Sequence, residues 1–523
     1  MKPSVRHILV ALGTATTLAL GAAQPTFSAG RSHGDGASRP VIATEAGAIR
    51  GVSASSADQF LGVPYAAPPV RDLRFAAPAE PASWKGVRDA DRQSPACVQF
   101  EPTGVREEQA TSEDCLYLDL YRPKNPGKRS KLPVMVWFHG GGHTQGTGVI
   151  YGGSTMASKT DTIVVSVNYR LGALGFLAHP SLSSATPGGS GNYGRMDQIA
   201  SLEWVRDNVA KFGGDPRNVT IYGQSAGGQA VCDLMAIPSA KGLFHRAIAQ
   251  SQDCLANRPT LASAEQTGLT YATAVGCPDP ATAVACLRKA FPGKLVANQG
   301  AYTGSSKSAS GLMPVTFAGA VAAGTWNKVP LMTGSTKSEN RLLSTALAGI
   351  TAEGYEQRIR DTYGDRADQV LARYPLSEFK TPYDAITQVQ TDAGRACTIE
   401  RVAETMDSET PTYRYEFDDP TSPTLYGFAI PGEDMSNAHS AELAYLFDFT
   451  LGERPLTRTQ ERLSDQMMRS WGAFARTGNP NVRGAPAWPT YGEERRVMSL
   501  RAGGASKAVT TLRADHHCDF WLS

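Results

Sequence analysis

The chain has 523 residues, of which 41% are hydrophobic and 19% are charged, a composition that excludes a disordered or fibrous protein. Its 51 Lys and Arg residues nearly balance its 49 Asp and Glu residues and form no basic block, so the charge pattern does not indicate a nucleic-acid-binding protein. A chain of this size can bury a large core, and we expect its partners to be small molecules. Its oligomeric state does not follow from the sequence.

The first residues of the chain have the pattern of an export signal. The basic residues Lys2 and Arg6 precede an apolar run that starts at Ile8 and ends near Ala23, and a polar segment follows it. A membrane anchor needs about 20 uninterrupted apolar residues, whereas this run is shorter and is broken by glycine and threonine. The pattern therefore predicts a cleaved signal peptide and no stable membrane insertion.

The rest of the chain contains no linker, low-complexity segment or internal repeat that would divide it. We therefore expect three parts, which are a signal peptide at 1–23, a flexible lead at 24–40 and one domain at 41–523. The mature protein is then secreted, and its eight cysteines reach a compartment in which they can form disulfides.

Short, strongly apolar segments recur along the domain and predict β-strands. These strand candidates begin, in chain order, at Leu132, Thr162, Val219, His245 and Val329. An amphipathic helix pattern, which runs from Ile199 to Phe212, lies between the second and the third candidates. Strands this uniformly apolar are covered on both faces, which predicts a mainly parallel central sheet flanked by helices. In such a sheet the active residues lie at the carboxyl ends of the strands.

The segment HGGG, residues 139–142, directly follows the first of these strands. Glycines allow backbone N–H groups to turn inward without obstruction by side chains. The N–H groups of Gly141 and Gly142, together with that of Ala226, are therefore candidates for an oxyanion hole.

The segment GQSAGG, with Ser225 at its centre, joins the strand at Val219 directly to a helical pattern. The pattern G-x-S-x-G alone is weak, because chance gives it about 0.4 times in a chain of this composition. Its context is specific, since small residues on both sides of the serine permit a sharp turn that exposes the hydroxyl above the sheet. Ser225 is therefore the candidate nucleophile.

Several longer segments resemble the type-B carboxylesterases, the family that includes the cholinesterases and the para-nitrobenzyl esterases. The resemblance extends from about Val41 to the C-terminus and rests, besides HGGG, on SEDCLYLDLYRP (from Ser112), NYRLGALGFL (from Asn168) and GNYGRMDQIASLEWVRDNVAKFGGDPRNVTIYGQSAGG (from Gly191). It implies an α/β-hydrolase fold. Together with the predicted signal peptide, it implies a secreted serine carboxylesterase that works through an acyl-enzyme intermediate and needs no metal or other cofactor.

The general base is a histidine that follows the nucleophile and the acid in this fold, which leaves His245, His439, His516 and His517. NAHSAELAYLF resembles the histidine loop of the family, and this resemblance selects His439. Metal ligation by His516, His517 and Cys518 is set aside, because the three residues are adjacent and the cysteine is expected to be bridged.

The acid is selected in the same way. GSTKSEN resembles the acid loop of the family and selects Glu339, although Asn340 stands where the family usually has glycine. Asp253 and Glu353 are nearby alternatives without such a context.

Cysteine spacing alone selects none of the 105 pairings that eight cysteines allow. The resemblance implies three bridges, which are Cys97 with Cys115, Cys277 with Cys286 and Cys397 with Cys518. Cys232 and Cys254 remain as a candidate fourth pair. The resemblance also implies two structural ion pairs, which are Arg74 with Glu113 and Arg170 with Asp197.

The substrate is defined only by class. Cholinesterases bind quaternary ammonium groups through a tryptophan in the loop that the first bridge closes, and this loop has no tryptophan here. The sequence therefore favours general carboxylic esters over choline esters. Lipase-like, thioesterase-like or polyester-hydrolysing activity is an alternative, and a non-catalytic binding protein on the same scaffold is the competing class.

Overall fold

The structure is a computed structural model that describes residues 39–99, 111–127, 130–186, 189–299, 308–425, 427–448 and 454–523. The predicted signal peptide, 1–23, and all of the predicted lead except Arg39 and Pro40 lie outside the described residues. The unit from Arg39 to Ser523 is compact by itself.

The described residues form strands along most of the chain. These strands are β1 (Val41–Ala43), β2 (Ala48–Arg50), β3 (Val52–Ser53), β4 (Ala57–Pro64), β5 (Val87–Asp89), β6 (Ala96–Cys97), β7 (Thr111–Ser112), β8 (Tyr117–Pro123), β9 (Leu132–Phe138), β10 (Ile163–Val167), β11 (Gly214–Gln224), β12 (Arg246–Gln250), β13 (Leu331–Thr336), β14 (Thr412–Phe417), β15 (Val497–Leu500) and β16 (Lys507–Val509). The five predicted strands are β9 to β13.

Helices separate most of the later strands. They are α1 (Ser154–Thr160), α2 (Gly172–Phe176), α3 (Pro180–Ser183), α4 (Tyr193–Asn208), α5 (Ala226–Ala236), α6 (Leu261–Val275), α7 (Ala283–Lys289), α8 (Pro292–Ala297), α9 (Phe317–Ala322), α10 (Asn340–Leu343), α11 (Ala352–Tyr363), α12 (Ala367–Arg373), α13 (Pro382–Thr391), α14 (Cys397–Asp407), α15 (Arg458–Thr477), α16 (Leu512–Asp515) and α17 (Cys518–Trp521). A π-helix, Asp392–Ala396, joins α13 to α14. The predicted helix is α4 with the 3₁₀ turn Val209–Phe212.

One 11-stranded sheet organises the domain, in the order β16-β15-β14-β13-β12-β11-β9-β10-β8-β4-β3. The pairings from β15 through to β10 are all parallel, and those at both edges are antiparallel. The predicted mainly parallel sheet is therefore confirmed. It also brings the carboxyl ends of β9, β11, β12 and β13 to one edge.

Both faces of this sheet are buried under helices. Along β9 the side chains of Val134 and Val136 enter one apolar core with residues of α4 and α5. Met135 and Trp137 enter a second core, in which α15 contributes Trp471 and other apolar residues. Alternate residues of one strand thus pack in two different cores, which is why the strands are apolar without interruption.

Disulfides and ion pairs hold the loops around the sheet. All eight cysteines are bonded, in the pairs Cys97–Cys115, Cys232–Cys254, Cys277–Cys286 and Cys397–Cys518. The two ion pairs that the resemblance implies are present, because Arg74 meets Glu113 at 2.6 Å and Arg170 meets Asp197 at 2.7 Å. None of the described helices is long and apolar enough to cross a bilayer.

Candidate active site

Ser225 occupies a strained corner between β11 and α5. Its φ of 58° and ψ of −121° lie in a region that residues with a side chain rarely adopt. Its N–H donates to the carbonyl of Gln250 at the end of β12, at 2.9 Å, and this bond holds the corner in place. The serine is therefore presented at the carboxyl edge of the sheet and keeps partial exposure to solvent.

Glycines let this corner pack against the end of β9. A Cβ on Gly227 would lie 1.9 Å from the carbonyl oxygen of Phe138, so a larger residue would force α5 away from the strand. A Cβ on Gly140 would lie 3.3 Å from the Cβ of Ser225. The HGGG segment therefore runs directly beside the serine.

Three backbone N–H groups at this junction have no acceptor among the described residues. They belong to Gly141, Gly142 and Ala226, which are the oxyanion-hole candidates. Gly141 and Gly142 have φ values of 102° and 64°, a conformation that glycine adopts without strain. Ala226 is buried, Gly141 is half-buried and Gly142 is exposed, so the unpaired donors lie beside the serine and open to it, where they can receive a negatively charged oxygen.

Glu339 and His439 form a buried pair near the same edge. Glu339 follows β13, and one of its carboxylate oxygens accepts the N–H of Thr336 at 2.9 Å. The other oxygen accepts a hydrogen bond from Nδ1 of His439. Burial raises the pKa of Glu339, but the charge and hydrogen bond of His439 outweigh it, so the pKa lies below its ordinary value. The carboxylate is thus ionised, and the imidazole has its Nε2 left for another partner.

The sequence profile of the carboxylesterase family matches residues 38–521. The chain belongs to the carboxylesterase family.

Its relatives and structural neighbours agree with this membership. The chain is 33% identical over 484 residues to fumonisin B1 esterase of Sphingopyxis macrogoltabida, an alignment that covers 87% of this chain and 85% of the relative. It is 32% identical to cocaine esterase of Homo sapiens, with 94% of this chain and 92% of that protein covered. A solved structure of a PNB esterase matches with a TM-score of 0.78 and 29% identity, over 92% of this chain and 99% of that chain. The protein is therefore a carboxylic ester hydrolase of the serine type with the α/β-hydrolase fold.

Gln224, which directly precedes the candidate nucleophile Ser225, contacts His439 of this carboxylesterase. Its buried amide nitrogen lies 3.1 Å from Nε2 and 3.5 Å from Nδ1 of His439. Because the two distances are similar, the amide lies over the face of the imidazole and not in its plane along the lone pair of Nε2. The amide of the residue that precedes Ser225 therefore packs on the face of the ring and leaves that lone pair available.

A second buried carboxyl group, Glu442, lies close to Glu339. Burial, with the negative charge of Glu339, raises the pKa of Glu442 to about 8. Its Oε1 accepts from the amide of Gln250 at 3.2 Å, the residue whose carbonyl holds Ser225. Only one of the two carboxyl groups near the histidine is thus ionised at neutral pH.

The alternative acids lie in other surroundings. Asp253 accepts from the N–H of Leu255 at 2.8 Å and meets Arg401 at 3.6 Å. Glu353 is exposed in the first turn of α11. Within the described residues, neither Asp253 nor Glu353 contacts His439.

The other histidines after Ser225 have structural partners. His245 is half-buried, and its Nδ1 accepts the N–H of Val219 at 3.2 Å. His516 is enclosed by two carboxylates, and the ring of His517 packs against that of Tyr374 in a T-shaped arrangement.

Asn340, which departs from the usual glycine of the family, fits its position without strain. It begins α10 with a negative φ, so this backbone does not require glycine. Its N–H donates to the hydroxyl of Thr391 at 3.0 Å.

Sequence reasoning missed Gln224, Gln250 and Glu442, which surround the pair of Glu339 and His439. Gln224 could have been found, because it directly precedes the candidate nucleophile, and a residue at that turn is expected to lie near the candidate base. The position of Gln250 depends on the pairing of β12 with β11, which no local pattern specifies.

Proposed function

We propose that this carboxylesterase hydrolyses carboxylic esters through an acyl-enzyme intermediate in which Ser225 is the nucleophile, His439 the general base and Glu339 the acid. The observation that carries this proposal is the junction of a strained serine with three unpaired N–H groups, at the same edge of the sheet as a buried imidazole whose Nδ1 is bonded to a carboxylate.

In the first half-reaction, Nε2 of His439 takes the proton of the Ser225 hydroxyl as its oxygen forms a bond to the ester carbonyl carbon. The carbonyl oxygen becomes an oxyanion, which the N–H groups of Gly141, Gly142 and Ala226 stabilise. The carbon–oxygen bond to the alcohol then breaks, and the alcohol leaves with the proton from His439. Glu339 stabilises the imidazolium while it exists.

In the second half-reaction, water takes the place of the alcohol. His439 takes a proton from the water, whose oxygen attacks the acyl carbon, and the bond to Ser225 breaks as the serine recovers its proton. The acid is released and the enzyme returns to its starting state. The two halves use the same groups, so one site is sufficient.

For the substrate, we propose general esters of small or medium acids, and we propose that the protein is secreted. The first proposal is supported by the relatives, one of which is named as a cocaine esterase. The four disulfides support the second, since such bonds form in oxidising compartments. A series of 4-nitrophenyl esters of increasing acyl length would define the preferred acid.

The change Ser225→Ala tests the mechanism. It should leave the protein folded but lower kcat for 4-nitrophenyl acetate by about 10⁴-fold or more, because no nucleophile remains. Wild-type protein should release a rapid burst of one 4-nitrophenolate per chain and should be labelled by a fluorophosphonate, and the variant should do neither. Ser499→Ala, which changes a serine in β15 of the same sheet, is the matched control and should behave as wild type. Near-native hydrolysis by folded Ser225→Ala would refute the proposal.

A further inference from the structure

A buried charged cluster lies behind the oxyanion loop, and the mechanism above does not use it. It contains Arg195 of α4, Asp233 of α5, Arg258 and the ring of His143, each of which is at least nine-tenths buried. Burying these charges is costly unless they are paired and well bonded. Two guanidinium groups and one carboxylate also leave the cluster with an excess of positive charge.

Arg195 connects the cluster to the oxyanion loop. Its Nε and one terminal nitrogen donate to Asp233 at 3.1 and 3.0 Å. The same terminal nitrogen meets Nε2 of His143 at 2.8 Å. A guanidinium has only donors, so Nε2 of His143 is the acceptor and the proton of the neutral ring lies on Nδ1.

The ring of His143 also reaches the nucleophile corner. It makes a hydrogen bond to the backbone of Ala226 that raises the pKa of the imidazole. Because Nε2 already accepts from Arg195, the ring atom left for Ala226 is Nδ1–H, and a ring that donates has the carbonyl of Ala226 as its acceptor. The backbone of His143 is fixed too, because its carbonyl accepts the N–H of Gly172 at 2.6 Å.

We propose that His143 is a positioning residue for the oxyanion hole, and that Arg195 holds it in the tautomer that this role requires. His143 immediately follows Gly141 and Gly142, while its ring is bonded to Ala226. The imidazole thus joins the two parts of the chain that supply the N–H groups of the hole. The inference rests on the proposed function, because it assumes that these groups receive an oxyanion.

The charge state of His143 agrees with this role. Burial, with the positive charge of Arg195, holds its pKa well below the ordinary value, so the ring is neutral. A protonated ring would have a hydrogen on Nε2 facing the guanidinium, and the bond to Arg195 would be lost. The excess positive charge of the cluster therefore preserves one tautomer.

The experiment compares two substitutions of His143. His143→Leu removes both ring hydrogen bonds at similar volume, whereas the amide of His143→Gln can accept from Arg195 and donate to Ala226. The readouts are kcat and KM for 4-nitrophenyl acetate, and the inhibition constant of a trifluoromethyl ketone. The adduct of this ketone with serine places an oxyanion in the hole. The control is Val231→Ala, which truncates a buried residue of α5 that does not belong to the cluster.

We expect His143→Leu to lower kcat by about 10- to 100-fold, somewhat less than the loss of a whole oxyanion donor. The inhibition constant of the ketone should rise by a similar factor, while KM changes by less than about threefold. His143→Gln should recover most of kcat. Val231→Ala should lower the melting temperature and keep the kcat of wild type.

Three results would overturn the proposal. The first is a wild-type kcat in His143→Leu, and the second is no recovery of kcat in His143→Gln. The third is a fall of kcat in Val231→Ala along with its melting temperature, because loss of stability alone would then explain the loss of activity. If His143→Leu does not fold, His143→Asn replaces it, since its shorter amide cannot reach both partners and should show the same loss of kcat. Failure of the proposed function is separate, because it would appear as activity in Ser225→Ala.

Discussion

Two buried histidines of this carboxylesterase, His439 and His516, are both bonded to carboxylates, yet they differ in how many of their nitrogens are used. His439 gives one nitrogen to Glu339 and has the neutral amide of Gln224 over its face. His516 gives Nδ1 to Asp392 at 2.5 Å and Nε2 to Glu416 at 2.6 Å.

This difference decides what each ring can do. Burial lowers the pKa of His516, but the charges of Asp392 and Glu416 outweigh it and raise the pKa to about 10. His516 is therefore a permanent cation at neutral pH and has no lone pair to offer. His439 has one nitrogen free of carboxylates, so it can accept a proton and return it. A histidine between two carboxylates is thus a crosslink, and a histidine with one carboxylate can serve as a base.

The largest effect should come from the carboxylate beside His439. Glu339→Gln keeps the shape of the side chain but removes the charge that orients and stabilises the imidazolium, so kcat should fall by about 10⁴-fold. The matched control is Glu416→Gln, which removes one carboxylate of His516 and should lower thermal stability but not kcat. Steady-state kinetics and melting curves of both variants give the answer. Equal kcat values in the two variants would mean that the histidines have been assigned the wrong roles.

The second prediction concerns the cation of His516. His516→Gln leaves Asp392 and Glu416 buried without their shared partner, and this should lower the free energy of unfolding by about 3–5 kcal/mol. The kcat of the folded variant should remain that of wild type, since the ring does not contact the proposed site. Denaturant unfolding near neutral pH, together with kinetics at a temperature where the variant is folded, would test both parts. A variant as stable as wild type would contradict the role as a crosslink.

The third prediction is a pH dependence of the same crosslink. The native pKa of His516, about 10, lies above the unfolded value of about 6.5. Its contribution is therefore complete below about pH 6.5, decreases as pH rises, and is lost once pH passes the folded pKa. The difference in unfolding free energy between wild type and His516→Gln should then shrink between about pH 6.5 and pH 10. A difference that stays constant over this range would contradict the raised pKa.

The smallest effect should come from the protonated carboxyl near His439. The native pKa of Glu442, about 8, lies above the unfolded value of about 4.3, so ionisation of the unfolded chain removes stability as pH rises between these values. Glu442→Gln removes this dependence and keeps a neutral polar group, so its stability relative to wild type should increase from about pH 5 to pH 8. Unfolding curves at both pH values measure the change. Parallel pH profiles of the two proteins would show that Glu442 is ionised in the folded state.

Much of the fold follows from local patterns. The apolar runs at Leu132 and Thr162 specified strands covered on both faces, and β9 and β10 lie there with alternate side chains in two cores. The direct passage from strand to helix at Ser225 was predicted as well, because it depends only on neighbouring residues. The edges of the sheet were missed, since short strands such as β3 and β16 have no apolar run of their own.

The candidate site was predictable only where local sequence patterns define it. The N–H groups of the candidate oxyanion hole follow from two local glycine patterns, whereas Glu339 and His439 were selected through the resemblance. The contacts of Gln224, His143 and Arg195 depend on which helix and loop meet behind the sheet. Residues far apart in the chain form these contacts, and no sequence period encodes them.

The backbone of Ser225 carries a cost that bears on how such a chain evolves. At a φ of 58° and ψ of −121°, glycine would be relaxed, whereas a residue with a Cβ gives up about 1–3 kcal/mol. A chain that keeps the serine is therefore less stable than the same chain with glycine at this position would be. In a lineage that is no longer selected for ester hydrolysis, Ser225 should be replaced early, and replacement by glycine should increase thermal stability. The substitution that abolishes the activity would then increase the stability of the folded chain. Its reversal would lower that stability, so it would occur only under selection for the activity.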